Sequence, residues 1–304
     1  MAQSRESSEI AGSVDTDPIV PRERLMVSTL RWLRLHPSTA VGAAVVLLFL
    51  LAAIFAGVLA PYSYDEGDLD NRLAGPSLDH PLGTDKVGRD VFSRLIYGAR
   101  ESVLLAVGAV LISQGLAAVV GLASGYFGGW FDLVAQRVID VWIALPALLF
   151  LIFVIGTIGG SAPVVLVVLG LLLFAGSSRV LRGMALTLKR QAFVEAARGT
   201  GASHTRVILR HILPNVLPLI VVQATLQMGA AVLIESSLSF LGFGVPPPAP
   251  TWGRMLADAR NDLTSPGGFN LAVWPGLAIT AVVYSFNVVG DGLHDLIDGR
   301  RLRR

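Results

Sequence analysis

Six stretches of this 304-residue chain are apolar over roughly the length that a helix needs to cross a lipid bilayer, and they leave few folds open. They run over residues 40–60, 102–124, 138–158, 162–178, 216–240 and 271–289. A hydrocarbon core about 30 Å thick takes about 20 helical residues to cross. Within it every backbone N–H and C=O has to be satisfied inside the protein, which restricts a chain to helices or a closed barrel. Barrel strands alternate apolar and polar residues over about 10 positions, whereas these runs are continuous. Composition agrees: 53% of residues are hydrophobic and 15% charged, with a mean hydropathy of +0.64, beyond what a soluble domain carries. The expected fold is an all-α integral membrane bundle of six transmembrane helices. Gly108, Gly121, Pro146, Pro218 and Pro275 fall inside the runs. Such residues are tolerated where neighbouring helices satisfy the backbone, so they point to a close-packed bundle rather than separate anchors.

Lys and Arg accumulate in cytoplasmic segments beside membrane spans. Here they gather in three places: Arg5, Arg22, Arg24, Arg31 and Arg34 before the first run; Arg179, Arg182, Lys189, Arg190, Arg198, Arg206 and Arg210 after the fourth; and Arg300, Arg301, Arg303 and Arg304 at the end. Six spans put all three on one side, so both termini are expected in the cytoplasm. The segments 61–100 and 241–270 then lie outside. The first 20 or so residues are rich in Ser, Glu and Asp without periodicity and are expected to stay disordered. Residues 23–35 mix Arg24, Arg31 and Arg34 with Leu25, Leu30, Trp32 and Leu33, which suits either a short interfacial helix or a basic linker. The first apolar run begins near residue 40 and lacks a small-residue cleavage site, so it reads as a retained anchor and not a secretory signal.

Several chemistries find no support. The chain has no cysteine, so it offers no disulfide, thiolate nucleophile or thiolate metal site. His36, His80, His204, His211 and His294 include no pair at metal-ligand spacing on one helix, and no metal site is expected. The net charge of +2 follows from membrane orientation rather than nucleic-acid binding. No G-x-x-x-x-G-K-[ST] phosphate loop occurs, so the chain lacks the cradle of a subunit that hydrolyses ATP. An intramembrane aspartyl enzyme would need Asp140 and Asp291 in mid-span, and neither sits there.

The most informative polar segment is EAARGTGASHTRVILRHILPNVLP, residues 195–218. Residues 190–200 favour a short helix, Gly201 is free of Cβ constraint, and Ser203 can cap a second helix running to Leu213, with Pro214 marking the turn into the next span. Two short helices bent about a glycine, with small Ala196 and Ala197 beside Glu195, admit close approach by another protein. A basic amphipathic helix lying on anionic lipid is the competing reading.

Glu195, Ala196, Ala197, Gly201, Leu213 and Pro214 resemble the cytoplasmic signature of permease subunits of ABC importers, in which Glu-Ala-Ala is followed by Gly and later by Ile-x-Leu-Pro. His211 departs from that pattern, standing where Ile is preferred. HPLGTDKVGRDVFSRLIYGARES (80–102), ESSLSFLGFGVPPPAPTWGRML (235–256) and PGLAITAVVYSFNVVGDGLHDLIDGR (275–300) are similar to the second permease subunit of dipeptide and oligopeptide importers, the DppC/OppC type.

The resemblance implies a type I ABC importer permease bundle in a bacterial or archaeal plasma membrane. It would form half of the pathway for di- or oligopeptides, pair with a homologous permease, dock two cytoplasmic ATPase subunits and receive cargo from an extracytoplasmic binding protein. ATP and Mg would be bound by those ATPase partners, with no cofactor in this chain. Relatives importing nickel chelates or other small complexes make that cargo the alternative. A membrane scaffold or intramembrane enzyme is a remote one. On this reading 1–39 is a cytoplasmic segment, 40–60 the first transmembrane helix, 61–101 an extracytoplasmic loop, 102–291 the core permease domain with its coupling loop 179–215, and 292–304 a basic tail.

Four ionisable residues near or within spans are functional candidates, since an unpaired charge in lipid is costly: Arg137, Asp140, Glu235 and Asp291. Arg137 and Asp140 are spaced to form an ion pair on one helix face. Glu235, Ser236 and Ser239 form a polar strip that either lines the pathway or hydrogen-bonds across helices. Outside the membrane, Thr84, Asp85, Arg89 and Asp90 either contact a binding protein or organise the loop through internal pairs, as does the Pro-rich 245–252 loop.

Overall fold

The computed structural model describes residues 36–265 and 268–301, with side chains to residue 297; the expectations for residues 1–35 and for the last three residues lie outside that range. The unit from Ser38 onward is helical. Its longer elements are α1 (Pro37–Ile54), α2 (Val91–Phe127), α3 (Gly129–Ala144), α4 (Ala147–Ile158), α5 (Ala162–Leu188), α6 (Ala192–Gly199), α7 (Leu213–Phe240), α8 (Trp252–Ala259) and α9 (Gly268–Arg301), with short helical turns at Ala56–Leu59, Leu69–Asn71, His204–Val207 and Ile208–Ile212. Among the described residues five uninterrupted helices are long and apolar enough to cross a membrane, and α3 with α4 makes a sixth span only if that bent pair counts as one.

The bend corrects the third expected span. The run 138–158 is not straight: α3 and α4 meet at 88°. Pro146 forces its predecessor out of the helical region, and Leu145 is extended at φ −74°, ψ 130°. Helices also outrun their apolar cores. Asp90 caps α2 by accepting from Ser93 N at 2.7 Å, so this helix begins eleven residues before the run at 102, within the segment expected as loop. The last helix likewise continues to Arg301, through residues expected to form a tail.

α2 and α5 form the closest pair. On α2, Ala106, Ala109, Ser113, Ala117, Gly121 and Gly125 recur every three or four residues, all buried. This makes one seam of small side chains that lets backbones approach. A Cβ on Gly121 would stand 2.5 Å from Ser178 O, and one on Gly125 2.6 Å from Arg182 O. The seam also carries hydrogen bonds. Gln227 of α7 accepts at Oε1 from Ser113 Oγ and Gln114 Nε2, both at 2.9 Å, and its Nε2 donates to Ser177 Oγ at 2.8 Å and Leu173 O at 3.0 Å. Three helices are thereby tied together at one point.

Two apolar clusters fill the bundle. The larger joins α1, α2, α4, α5, α7, α8 and α9 through residues such as Phe49, Leu105, Leu151, Leu169, Leu238, Trp252 and Phe286. The smaller gathers Leu122, Tyr126, Leu181, Ala185 and Leu188 around Val194, Val207, Ile212 and Val216. It seats the segment between α5 and α7, which carries the first candidate site.

Candidate coupling surface

Gln191, extended at φ −79°, ψ 144°, starts α6. Val194 in its first turn is completely buried, as are Val207 and Ile212 farther along. These apolar anchors fix the loop, while Glu195, Ala196, Arg198, Gly199 and Thr200 are exposed and Ala197 is half-buried. The Glu-Ala-Ala surface is therefore presented outward from a rigid seat. Gly201 ends α6 with φ +83°. Its N–H donates to Arg198 O at 2.9 Å and that of Ala202 to Ala197 O at 3.1 Å, the paired bonds of a Schellman terminus. The bend expected at this residue is present, and its cause is backbone conformation: no heavy atom lies within 4 Å of where its Cβ would be.

Ser203 accepts from Arg206 N at 3.4 Å and caps the turn His204–Val207. The expected turn at Pro214 is absent. Helix continues from His204 through the π-helical segment Ile208–Ile212 into α7. In that wider turn Leu213 N–H reaches Ile208 O, and Asn215 Nδ2 donates to His211 O at 2.7 Å. Pro214, lacking an N–H, is tolerated at the start of α7. So only one short helix stands apart, and the second part of the loop is the root of a span. Leu213 is half-buried and packs on the loop's apolar cluster, while Pro214 is exposed.

Tyr126 at the end of α2 meets His204 Nδ1 through its hydroxyl at 2.9 Å. The Arg198 guanidinium lies 5.4 Å from the Tyr126 ring centroid. These contacts tie both limbs of the loop to α2, and no sequence signal foretold them. His211, the departure from the family pattern, is half-buried beside Ile212.

The second candidate group sits at the opposite end of α7. Glu235, Ser236 and Ser239 are all buried. Ser239 Oγ donates to Glu235 Oε1 at 2.6 Å, and Thr251 Oγ1 donates to Ser239 Oγ at 3.2 Å. Of the two roles this strip admits, hydrogen bonding within the bundle is the one these contacts perform in this conformation. The Asp85–Arg89 pair is likewise internal, at 2.7 Å, with Arg94 and Asp258 close by, and Asp90 is committed to capping. Asp140 accepts from Arg179 of α5 and lies 3.8 Å from Arg137, so the expected pair is the outer part of a three-residue group. Asp291 is exposed. Among the described residues no three His, Asp or Glu side chains come together as a metal-ligand set.

The bundle of membrane-length helices fits one class, the membrane-spanning transport permeases, and the family match shows it. The chain belongs to the family described as binding-protein-dependent transport system inner membrane component, which matches residues 117–303. Residues 25–76 match the N-terminal transmembrane domain of oligopeptide transport permease C. The chain is 39% identical over 258 residues to a dipeptide transport system permease of Alkalihalophilus pseudofirmus, covering 85% of this chain and 84% of that protein. It is 41% identical over 258 residues to glutathione transport system permeases of Escherichia coli strains O1:K1 and O157:H7, covering 84% of each chain. It is thus a multi-pass plasma-membrane permease.

Proposed function

We propose that this chain forms half of the transmembrane pathway of an ATP-driven importer for short peptides, a class that includes the tripeptide glutathione. In this reading it pairs with a second, homologous permease, keeps both termini and α6 in the cytoplasm, and receives cargo from an extracytoplasmic binding protein. Two ATPase subunits bind ATP and Mg and dock on the loop. The observation that carries the reading is the exposed Glu195–Gly201 surface on the buried Val194 seat. A rigid knob transmits force, where a loosely held loop would absorb it. Glu195 supplies a polar contact to an ATPase and Gly201 holds the docking geometry. ATP-driven closure of the partners then displaces α6, and the bundle switches between outward and inward access. A pathway role for Glu235, Ser236 and Ser239 requires a conformation that uncovers them, since all three are buried here.

The test is uptake by proteoliposomes holding the co-purified complex, with native mass spectrometry of the cargo retained by its binding protein. ATP-dependent accumulation of di- or tripeptides is the expected result. An active complex carrying a metal chelate would overturn the cargo assignment, and no ATP-dependent uptake of any kind would overturn the importer.

A further inference from the structure

α3 is held in an unusual way. Of its sixteen residues only Ile139 is buried, while Trp130, Phe131, Leu133, Val138 and Val141 are exposed. Packing within the chain therefore does little to fix it. Its polar contacts do more. Asp132, in the first turn, receives a two-point bond from Arg182 of α5, with Nε to Oδ1 at 2.5 Å and Nη2 to Oδ2 at 2.6 Å. That planar fork sets orientation as well as distance. Ser124 Oγ of α2 also donates to Asp132, and Gln136 Nε2 donates to Ser124 Oγ at 3.2 Å. Two turns farther along, Asp140 binds Arg179 of α5.

The two arginines stand one turn apart on α5, whereas the two aspartates stand eight residues apart on α3. By helical rise this is roughly 4.5 Å against roughly 12 Å, so the two arginine side chains span the difference in reaching their aspartates. The same stretch of α5 presents Leu181, Ala185 and Leu188 to the apolar cluster around Val194 and Val207. One face of α5 thus carries the seat of the coupling loop, while its arginines grip α3. Beyond the 88° bend, α4 anchors Leu151 and Ile155 in the main core. Gly159 and Gly160 at its far end line a groove with Gly242, Phe243, Gly244 and Arg254.

We propose that Asp132–Arg182 and Asp140–Arg179 are a clamp through which displacement of the coupling loop moves the bent pair α3–α4. The four side chains are positioning residues for transport, and the inference rests on the importer reading above. Asp140–Arg179, about half exposed on both side chains, is the weaker grip, and the two-point Asp132–Arg182 pair is the firmer one. They can break and re-form during a cycle without unfolding the bundle, while fixing direction as long as they are closed.

The test is charge reversal and exchange in the reconstituted complex, with peptide uptake and ATP hydrolysis measured separately. Asp132→Arg and Arg182→Asp alone are expected to lower uptake per ATP hydrolysed at least ten-fold, with the ATPases still co-purifying. The exchanged pair should recover at least half of the wild-type ratio. If a reversal prevents membrane insertion, Asp132→Asn and Arg182→Gln serve instead, with an expected loss of at least three-fold. A ratio within two-fold of wild type in the single variants, or an exchanged pair as defective as either single in an intact complex, would overturn the clamp. A wild-type complex with no ATP-driven uptake overturns the importer reading and the clamp together, and is told apart by that control.

Discussion

At the residue scale, Gly201 separates conformation from contact. Its φ of +83° lies in the left-handed region, and the space around its missing Cβ is open. An ordinary side chain there costs about 1–2 kcal/mol of backbone strain but meets no clash. Asn tolerates this conformation and β-branched residues do not. Gly201→Asn is therefore expected to keep at least half of wild-type uptake, and Gly201→Val to lose nearly all of it with normal membrane insertion, read by uptake and by quantitative blotting of membranes. Equal uptake by the two variants would contradict a conformational role. Beneath the surface the balance reverses. Leu181 is wholly buried in the loop's seat, and removing a buried leucine side chain costs about 2–5 kcal/mol. Leu181→Ala should lower the midpoint of thermal unfolding in detergent, whereas Glu195→Lys, on an exposed side chain, should leave that midpoint in place and abolish uptake.

Among elements, the α2–α5 seam makes a sharp contrast between glycines of the same helix. A Cβ at Gly121 would strike the Ser178 carbonyl at 2.5 Å, while at Gly115 it would meet nothing within 4 Å. Gly121→Val should abolish the monodisperse folded chain in size-exclusion chromatography, and Gly115→Ala should leave it intact. The Gln227 node is a second test of how these helices are held. Hydrogen bonds between membrane helices average about 0.6 kcal/mol each, so Gln227→Leu, which removes four, should cost on the order of 2 kcal/mol in denaturant titration. These elements differ in how legible they were. Five spans were readable because an apolar run of the right length has few other solutions in lipid, whereas the small-residue seam of α2 was not read beyond Gly108 and Gly121. The bend at Pro146 was not read, although the residue was noted, because a proline alone does not say whether neighbours will straighten or break a helix. The early start of α2 was hidden since Arg94, Arg100 and Glu101 resemble a loop, yet Arg94 is buried at 3% exposure against Asp85 and Asp258. The Gln114–Gln227 contact joins residues 113 apart, and nothing local in a sequence encodes such a meeting.

For the whole molecule, the two apolar clusters divide the work. The larger one gives the bundle its body, and the smaller one makes the loop between α5 and α7 a rigid part of the protein. The Glu195 surface was legible because its residue types formed a recognisable pattern. Its seat, built from Val194, Val207 and Ile212, was not, because those residues look like any amphipathic helix until α2 and α5 are brought together beneath them. The central claim is that this surface receives an ATPase subunit, and the absence of cysteine makes it directly accessible to cross-linking. Ala196→Cys, Arg198→Cys and, as a comparison on the opposite end of the bundle, Leu78→Cys would each be treated in the purified complex with a short bifunctional maleimide, and the adducts identified by mass spectrometry. The account predicts ATPase adducts from positions 196 and 198, changing in yield when ATP is added, and none from position 78. An intact complex in which positions 196 and 198 yield no ATPase adduct, while another part of the chain does, would contradict it.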